Sequence, residues 1–337
     1  MISVIIPSWN GRHLLETALP SLIKQLPKQV SVIVVDNGST DGTVEWINEN
    51  WKTVITMALP ENLGFSGAVN TGIAAAGEDD IILLNNDTEA LPGWLNALLE
   101  ARDKFPDFHV FTSRVLYAEP PHLIDTVGDG FTIAGFGYKK GWLEQDGTDF
   151  DKHKEVFSAS GCAMLIRREV IKEIGLFDED FFAFGEDIDF SFRARLAGFR
   201  VLYVPDAKLY HSVRSTAAPK QTLYWYHRNL VWILVKNLPF YLWLLYWPHI
   251  LAHMIWIGIR SLAGNWFVIY CRSLASACYG IPKKMKQRSD IQNARNVKIK
   301  DIRELIDSNW VGVHWQLYRK KRAWKSKKGN TNEVYSK

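Results

Sequence analysis

The chain has 337 residues, 47% of them apolar, so it can form one large domain or two ordinary ones around a substantial core. Its three cysteines form no CxxC pair and no His/Cys cluster, which argues against a disulfide framework and indicates a reducing compartment. Residues 281–337 carry 16 Lys and Arg against 5 Asp and Glu, while the rest of the chain carries 24 against 31, so this basic segment predicts an anionic partner.

The first hundred or so residues alternate between predicted strands and helices. Apolar, largely β-branched runs predict strands at 2–7, 30–35, 54–59 and 80–84. Apolar residues at helical spacing predict a helix over 14–23, and further helices are expected after the polar loop 37–42, near 62–70, and from Pro92. This alternation predicts a doubly wound, mostly parallel α/β sheet.

The following hundred residues are less regular. The Gly-rich and aromatic stretch 125–141 predicts a loop with short strands. A strand is predicted at 163–167, a short helix at 169–174, a helix over 186–196 ended by Gly198, and a closing strand at 201–204. His211 follows that last strand shortly afterwards.

Polar side chains follow the ends of two predicted strands. Asn85, Asn86 and Asp87 follow the fourth strand, and Asp36 follows the second. Ligands of open α/β sheets bind beyond the carboxyl ends of the strands, where a carboxylate can hold a divalent cation, and the cation a diphosphate. Turn or helix-capping roles also suit these residue types. Neither a dinucleotide-binding GxGxxG nor a P-loop motif is present in the sequence.

A cluster of acids lies at the start of the predicted 186–196 helix. Glu186, Asp187 and Asp189 follow the apolar run 181–185, and three acids exceed what interaction with the helix dipole requires. Apolar surroundings make a carboxylate more basic, as a general base requires. A lone histidine is more often structural than metal-binding, but His211 becomes a candidate metal ligand if it lies beside Asp87.

Five motifs in order make the chain resemble the family 2 glycosyltransferases, which are inverting enzymes of the GT-A fold. More closely, it is similar to the bacterial rhamnosyltransferase-like branch that builds cell-surface polysaccharide. The resemblance extends over residues 1 to about 215. The motifs are VIIPSWN at 4–10, VVDNGSTDG at 34–42, NLGFSGAVN at 62–70, LLNND at 83–87 and FFAFGEDID at 181–189.

The resemblance implies roles for individual residues. Asp187 would be the catalytic base, with Glu186 beside it, and Asp87 and His211 would bind Mg²⁺ or Mn²⁺. Asn85 replaces the first Asp of the family's DxD motif, which removes one negative charge from the metal site. The residues implied around the donor nucleotide and sugar are Pro7, Asn10, Asp36, Asn62, Gly64, Asn70, Asn86, Gly161 and Cys162.

The implied reaction is a single displacement with inversion. The metal would neutralise the departing nucleoside diphosphate while Asp187 takes the proton of an acceptor hydroxyl. Two alternatives stay open: a catalytically weak nucleotide-binding scaffold of a membrane polysaccharide assembly complex, which the substitution at Asn85 would suit, and a nucleotidyltransferase of similar sheet topology.

The segment 238–259 lacks Asp, Glu, Lys and Arg and is long enough to span a membrane. Pro239, Pro248, His249 and His253 interrupt it, and a single span would export the basic tail against the positive-inside tendency. An interfacial or re-entrant hairpin over 226–281 is therefore favoured over a span or a buried core helix. The apolar neighbour of the basic tail also favours anionic lipid over nucleic acid as its partner.

These observations predict a GT-A α/β catalytic domain at 1–220, with a nucleotide half to about 110 and an acceptor half beyond it. A membrane-associated helical region at 221–282 and a basic tail at 283–337 follow. The predicted protein moves a sugar, with rhamnose as the candidate, from a nucleotide-diphosphate sugar to a lipid-linked or growing glycan acceptor. It would work at the cytoplasmic face of the bacterial inner membrane.

Overall fold

The computed structural model describes residues 1–213 and 218–334, with side chains through Trp324. Residues 214–217, within the predicted catalytic domain, and 335–337, at the end of the predicted tail, lie outside the described residues.

The amino-terminal half is a regular alternation of strands and helices. Strands β1, β2, β3 and β4 pair in parallel in the order β3-β2-β1-β4. The elements are β1 (Ile2–Ser8), α1 (Arg12–Ile23), β2 (Val30–Asp36), α2 (Thr43–Asn50), β3 (Val54–Ala58), α3 (Gly64–Ala75), β4 (Asp80–Leu84), β5 (Thr88–Ala90) and α4 (Trp94–Lys104).

The second half extends the same sheet in mixed directions. Next to β4 lies an antiparallel strand, β11, followed by β6 and β12, which pair with each other in parallel. The elements are β6 (Val110–Tyr117), β7 (Ile124–Thr126), β8 (Asp129–Thr132), β9 (Gly137–Lys139), β10 (Lys154–Glu155), β11 (Ala163–Ile166), α5 (Arg168–Ile174), α6 (Glu186–Ala197) and β12 (Val201–His211), with 3₁₀ turns at Thr148–Phe150 and Glu179–Phe181.

The inner strands β1, β2, β4 and β11 are buried on both faces, which explains their nearly continuous apolar sequences. Val4 and Ile6 of β1 face the layer of α1 and α4, whereas Ile5 faces the layer of α3, α5 and α6. The predicted strand at 201–204 is longer than expected, because β12 continues to His211 and pairs there with β5 and β6. His211 therefore lies within a strand.

The carboxyl-terminal third is helical and packs on the α/β domain formed by the preceding elements. Its elements are α7 (Pro219–Asn237), α8 (Phe240–Ala263), α9 (Phe267–Asn293), α10 (Ile299–Leu305), β13 (Ile306–Asp307) and α11 (Trp310–Val334). Strand β13 joins β8 and β9 in a second, three-stranded sheet. A third core forms between α6, α7 and α8, with Phe192, Ile233 and Leu242 buried in it.

Helix α8 is apolar on nearly every side. Among residues 1–213 and 218–334 it is the one helix long and apolar enough to cross a membrane, and 22% of its apolar stretch is buried. A stripe including Leu242, Tyr246 and Ile250 packs inward. The large side chains that stay exposed are Phe240, Tyr241, Trp243, Leu244, Leu245, Trp247, Leu251, Ile255, Ile259 and Leu262.

The predicted boundary between membrane region and basic tail falls inside α9. The expectation that residues near this boundary attract lipid headgroups is wrong for Lys284, which is fully buried and bonded to Asp178 and Asp180. Arg288 also points inward, donating to the carbonyls of Val235 and Leu238. Lys284 thus joins α9 to the α/β domain, and Arg288 joins α9 to the end of α7.

Candidate active site

A cavity of about 480 Å³ lies beyond the carboxyl ends of β1 and β4. It is lined from the catalytic domain and from α7 alike. Of the predicted site residues it contains Pro7, Asn62, Gly64, Asn86, Asp87, Gly161, Cys162, Glu186, Asp187 and His211.

The side of the cavity next to β1 and β2 is held together by side-chain amides. Asn37 was not predicted; its Nδ2 donates to Asn62 Oδ1 and to the Gly64 carbonyl, both at 3.0 Å. Asn86 Nδ2 donates to Ser8 Oγ at 3.0 Å. These bonds fix the loops that follow β1, β2 and β4. Asn37 directly follows Asp36, where its residue type indicated only a turn.

Gly64 begins α3 at a point of close contact. Its φ is +76°, and a Cβ there would lie 2.5 Å from the carbonyl oxygen of Phe182. That same carbonyl accepts the N–H of Phe65 at 2.6 Å. Only glycine fits this junction, and it brings the start of α3 against the loop that precedes α6.

Asp36 and Asn10, two of the predicted residues, do not line the cavity. Asp36 lies at the end of β2, and Asn10 lies in the loop after β1. Asp36 is buried, and its Oδ2 accepts the N–H of Ser39 at 3.1 Å. Its buried Oδ1 has no hydrogen-bond partner among the described residues. Asn10 Oδ1 accepts the N–H of Thr40 at 2.8 Å and joins the two loops.

Asn70, which was predicted to bind the nucleotide-sugar donor, points away from the cavity. Its amide donates to the Phe177 carbonyl and to Glu179 Oε1, both at 2.9 Å. A position six residues after Gly64 is rotated by about 240° on an α-helix, so the two residues occupy different faces of α3. Asn70 fastens the segment after α5 to α3.

A chain of ion pairs runs behind the predicted metal ligands. His211 Nε2 lies 3.2 Å from Asp87 Oδ1, and His211 Nδ1 lies 2.9 Å from Asp125 Oδ2. Lys139 contacts both oxygens of Asp125 at 2.7 and 2.8 Å. Asp125 and Lys139 were not predicted, because they come from short strands of the 125–141 stretch and meet His211 only through the pairing of the sheet.

The charges of this chain of residues explain their pKa shifts. Burial alone would raise the pKa of Asp125, but Lys139 and His211 hold it well below its usual value. Burial alone would lower the pKa of His211, yet its bonds to Asp125 and Asp87 are among the contacts that raise it well above its usual value. The two neighbouring carboxylates therefore favour the protonated form of His211 when no metal is bound.

Asp87 and His211 can serve as two ligands of a cation. No group of three or more His, Cys, Asp or Glu side chains suited to a metal occurs in the described part of the chain. A cation held here would therefore take its remaining ligands from elsewhere, such as a diphosphate. The Nδ1 contact with Asp125 orients the imidazole so that Nε2 faces Asp87, as is usual for metal-binding histidines.

Asp187 is placed at the first turn of α6 by contacts with two backbone amides. Gly161 N–H donates to its Oδ2 at 3.0 Å and Ile188 N–H donates to its Oδ1 at 2.8 Å. A Cβ at Gly161 would meet Asp187 at 3.4 Å, so the small residue lets the carboxylate approach. Cys162 follows, and its carbonyl accepts the N–H of Asn85 at 2.9 Å.

Burial raises the pKa of Asp187, although the two amides counteract it. Burial and the nearby Asp187 charge raise the pKa of Glu186 further, and the Glu186 Oε2 has no partner among the described residues. The same two causes raise the pKa of Asp129, which also lines the cavity, to about 7. Three carboxyl groups with elevated basicity thus surround one part of the cavity.

Asp189, the third acid of the cluster, points away from the cavity. It is fully buried and bonded to Arg193, Lys236 and Asn237. Its role is to join α6 to α7. The α7 side chains Trp225 and Tyr226 line the cavity as well, which the sequence did not indicate.

A family model for glycosyl transferase family 2 matches residues 3–175. The chain belongs to that family. The N-acetylglucosaminyl-diphospho-decaprenol L-rhamnosyltransferase of Mycobacterium tuberculosis is 28% identical over 253 residues, which are 68% of this chain and 82% of that protein. The O-antigen biosynthesis protein RfbC of Myxococcus xanthus is 27% identical over 71% of this chain, which spans 20% of the RfbC length.

Solved structures share the fold of this family 2 glycosyltransferase. Residues 1–349 of S. aureus TarS in complex with UDP-GlcNAc superpose with a TM-score of 0.57 at 15% identity, over 87% of this chain and 90% of that one. GalNAc-T7 with UDP, GalNAc and Mn²⁺ gives a TM-score of 0.57 at 17% identity, over 70% of this chain and 48% of that one. The GT-A fold and the glycosyltransferase activity predicted from the sequence are confirmed.

Proposed function

We propose that this glycosyltransferase transfers a sugar, with rhamnose the favoured candidate, from a nucleotide-diphosphate donor to a lipid-linked acceptor with inversion. The observation that carries the proposal is the pairing, in one cavity, of a basic carboxylate at Asp187 with the Asp87–His211 pair. The choice of sugar and acceptor follows the name of the mycobacterial relative.

Asp187 serves as the base that removes the proton from the attacking acceptor hydroxyl. Its raised pKa suits this role, because a general base is most effective when its pKa approaches the working pH. Burial is what keeps Asp187 basic. The backbone N–H of Gly161 holds the carboxylate in place.

The donor lies along the ends of β1, β2 and β4 in this proposal. The unpartnered Oδ1 of Asp36 can accept an N–H from a pyrimidine base if the Asn10 loop shifts to admit it. Pro7 and the Asn37–Asn62 pair form the wall beside the nucleotide. Asn86, Gly161 and Cys162 line the part of the cavity closer to Asp187, where the sugar would lie.

Asp87 and His211 would hold Mg²⁺ or Mn²⁺. A bound cation would supply charge neutralisation to the leaving nucleoside diphosphate. The neutral amide of Asn85 leaves one carboxylate in this motif, so we expect the cation to bind together with the diphosphate of the donor rather than before it.

We also infer that the exposed face of α8 lies in the surface of the cytoplasmic membrane. Ten large apolar side chains are exposed there, while the inward stripe packs on the other helices. A helix with one packed face suits the membrane interface better than a single span. A membrane-bound enzyme would meet a lipid-linked acceptor without extracting it.

The test is an assay of the purified full-length chain with dTDP-rhamnose, UDP-GlcNAc and other nucleotide sugars, and a lipid-linked N-acetylglucosamine acceptor. Transfer from dTDP-rhamnose, inversion of the anomeric configuration by NMR, and loss of activity in excess EDTA are expected. Transfer with retention would refute Asp187 as a base. Transfer from another donor alone would refute rhamnose, and undiminished activity in EDTA would refute the metal.

A further inference from the structure

The loop 178–185, which leads into Asp187, has an unfavourable backbone. Phe182 and Phe184 have positive φ angles of 63° and 70°, and Gly185 has a φ of 87°. Positive φ is uncommon for any residue with a side chain and unfavourable for a bulky one. Contacts from outside the loop must therefore hold it in this conformation.

On one side the loop is held by α3, where the Phe182 carbonyl accepts the N–H of Phe65. On the other side it is held by Asn229 of α7. The Nδ2 of Asn229 donates to the carbonyls of Phe181, Ala183 and Phe184 at 3.0, 2.9 and 2.7 Å.

Asn229 is itself fixed in place. Its side chain is fully buried, and its Oδ1 accepts from Arg228 Nε at 2.9 Å. Arg228 Nη2 adds bonds to the carbonyls of Asp180 and Phe181, both at 2.9 Å. One amide thus bonds three carbonyls within four residues of Gly185, the residue that directly precedes Glu186 and Asp187.

We propose that Asn229 is a positioning residue for the reaction, holding the 178–185 loop so that Asp187 reaches the acceptor hydroxyl. The proposal rests on the proposed function, because it gives Asp187 the role of base. It makes α7 a part of the active site. Removing α7 should therefore impair the reaction itself and not only the contact with a membrane.

The consequence is a selective loss of turnover. A displacement of about 1 Å in a reacting group lowers rates on the order of 10²-fold. The nucleotide side of the cavity is built from the ends of β1, β2 and β4, which Asn229 does not contact. Removing its N–H donors should therefore lower kcat and leave donor KM nearly unchanged.

The experiment compares Asn229→Leu, which removes both donors at similar volume, with Gln292→Leu in the full-length protein. Gln292 is a matched control, because its Nε2 donates to the Asn237 carbonyl at 2.9 Å at the far end of α7. For Asn229→Leu we expect kcat to fall about 10- to 100-fold and donor KM to stay within about threefold. Amide hydrogen exchange should accelerate over 178–185 and stay unchanged over β1–β4. Gln292→Leu should match the wild type.

A kcat within about threefold of wild type, or a parallel change in kcat and KM, would overturn the proposal. Should Asn229→Leu not fold, Asn229→Asp decides by the same criteria, and failure of both variants to fold would overturn it in favour of a purely structural role. If the wild-type chain is inactive with every nucleotide sugar tested, the proposed function is refuted and kcat cannot test the role of Asn229. In that case unchanged exchange over 178–185 in Asn229→Leu would still refute the hold of Asn229 on the loop.

Discussion

Lys284 offers a direct test of how the carboxyl-terminal helices are joined to the catalytic domain. Its ammonium is fully buried, 2.8 Å from Asp178 Oδ2 and 2.7 Å from Asp180 Oδ2. Lys284→Met keeps most of the side-chain volume and removes the charge. Breaking one side of a buried ion pair costs about 3–5 kcal/mol. Lys236 remains 2.5 Å from Asp178, so we expect a loss of about 3 kcal/mol in the free energy of unfolding, the lower end of that range.

Urea unfolding followed by circular dichroism measures this loss. Lys286→Met is the control, because Lys286 is exposed on the same helix and its replacement should change stability by less than about 0.5 kcal/mol. A loss under about 1 kcal/mol for Lys284→Met would refute the reasoning, since the buried charge of Asp178 would then need no second partner.

The pH dependence gives a second check on the same pair. Burial would raise the pKa of Asp178, but Lys236 and Lys284 hold it well below its usual value. A carboxyl with a lowered pKa stabilises the fold above its unfolded pKa of about 3.9, and that contribution is lost as pH falls through the folded pKa. Lys284→Met raises the folded pKa, so the variant should lose stability at a higher pH than the wild type.

Three further predictions concern the chemistry. Asp187→Asn should retain donor binding and lose transfer at least several hundredfold, the order expected for a lost general base, and near-normal transfer would exclude that role. The wild-type kcat/KM should fall on acidification with a midpoint above about 3.9, because the raised pKa of Asp187 protonates the base earlier, and a midpoint at or below that value would contradict the assignment. Asp125→Asn should weaken Mn²⁺ binding in the presence of nucleoside diphosphate about 10- to 100-fold by calorimetry, since Asp125 orients His211; unchanged affinity would remove Asp125 from the metal site.

The sequence predicted the parts of the site that depend on strand ends. Residues 85–87 follow β4 as expected, because an apolar run buried on both faces leaves its first polar residues at the mouth of the sheet. The acid cluster at the start of α6 was likewise predicted from its position after aromatic residues, and two of its three acids, Glu186 and Asp187, line the cavity. Both patterns are local in the sequence, so they place a residue correctly whenever the helix or strand beside it is correctly predicted.

The residues that join His211 from other strands, Asp125 and Lys139, carried no such signal. Asp125, Lys139 and His211 are brought together by the pairing of β6, β7, β8, β9 and β12, and nothing in their spacing fixes that register. Asn70 was predicted beside the donor, whereas its amide bonds to Phe177 and Glu179 and does not line the cavity, because a motif gives residue types but not the rotation of a helix against its neighbours.

The carboxyl-terminal helices show the same limit of prediction from sequence, because the partners of their charged residues lie far away in the chain. Composition predicted an apolar segment and a cationic tail, but not that Lys236 and Lys284 are the partners of Asp178. A cation next to an apolar run looks like a headgroup ligand until its partner, more than a hundred residues earlier for Lys284, is known. Most of the side chains that remain exposed on α8 are apolar, so the membrane contact should depend on insertion more than on charge.

That expectation can be tested with two matched pairs of substitutions. Trp247 and Leu251 on α8 are 49% and 47% exposed, and Ile55 and Leu176 on the catalytic domain are 50% and 43% exposed. Full burial of such a side chain contributes about 1.5–3 kcal/mol, so burying the exposed half of two contributes about 2 kcal/mol. Trp247→Ser with Leu251→Ser should therefore weaken vesicle binding about 30-fold, and Ile55→Ser with Leu176→Ser should not change it.

Flotation with vesicles of phosphatidylethanolamine and phosphatidylglycerol at low and high salt measures both pairs. Because insertion is not screened by salt, binding of the wild type should persist in large part at high salt. Equal loss in the two pairs would mean that α8 does not contact the membrane. Release of the wild type by salt alone would assign the contact to the exposed cations of α9 and α11 rather than to the apolar face.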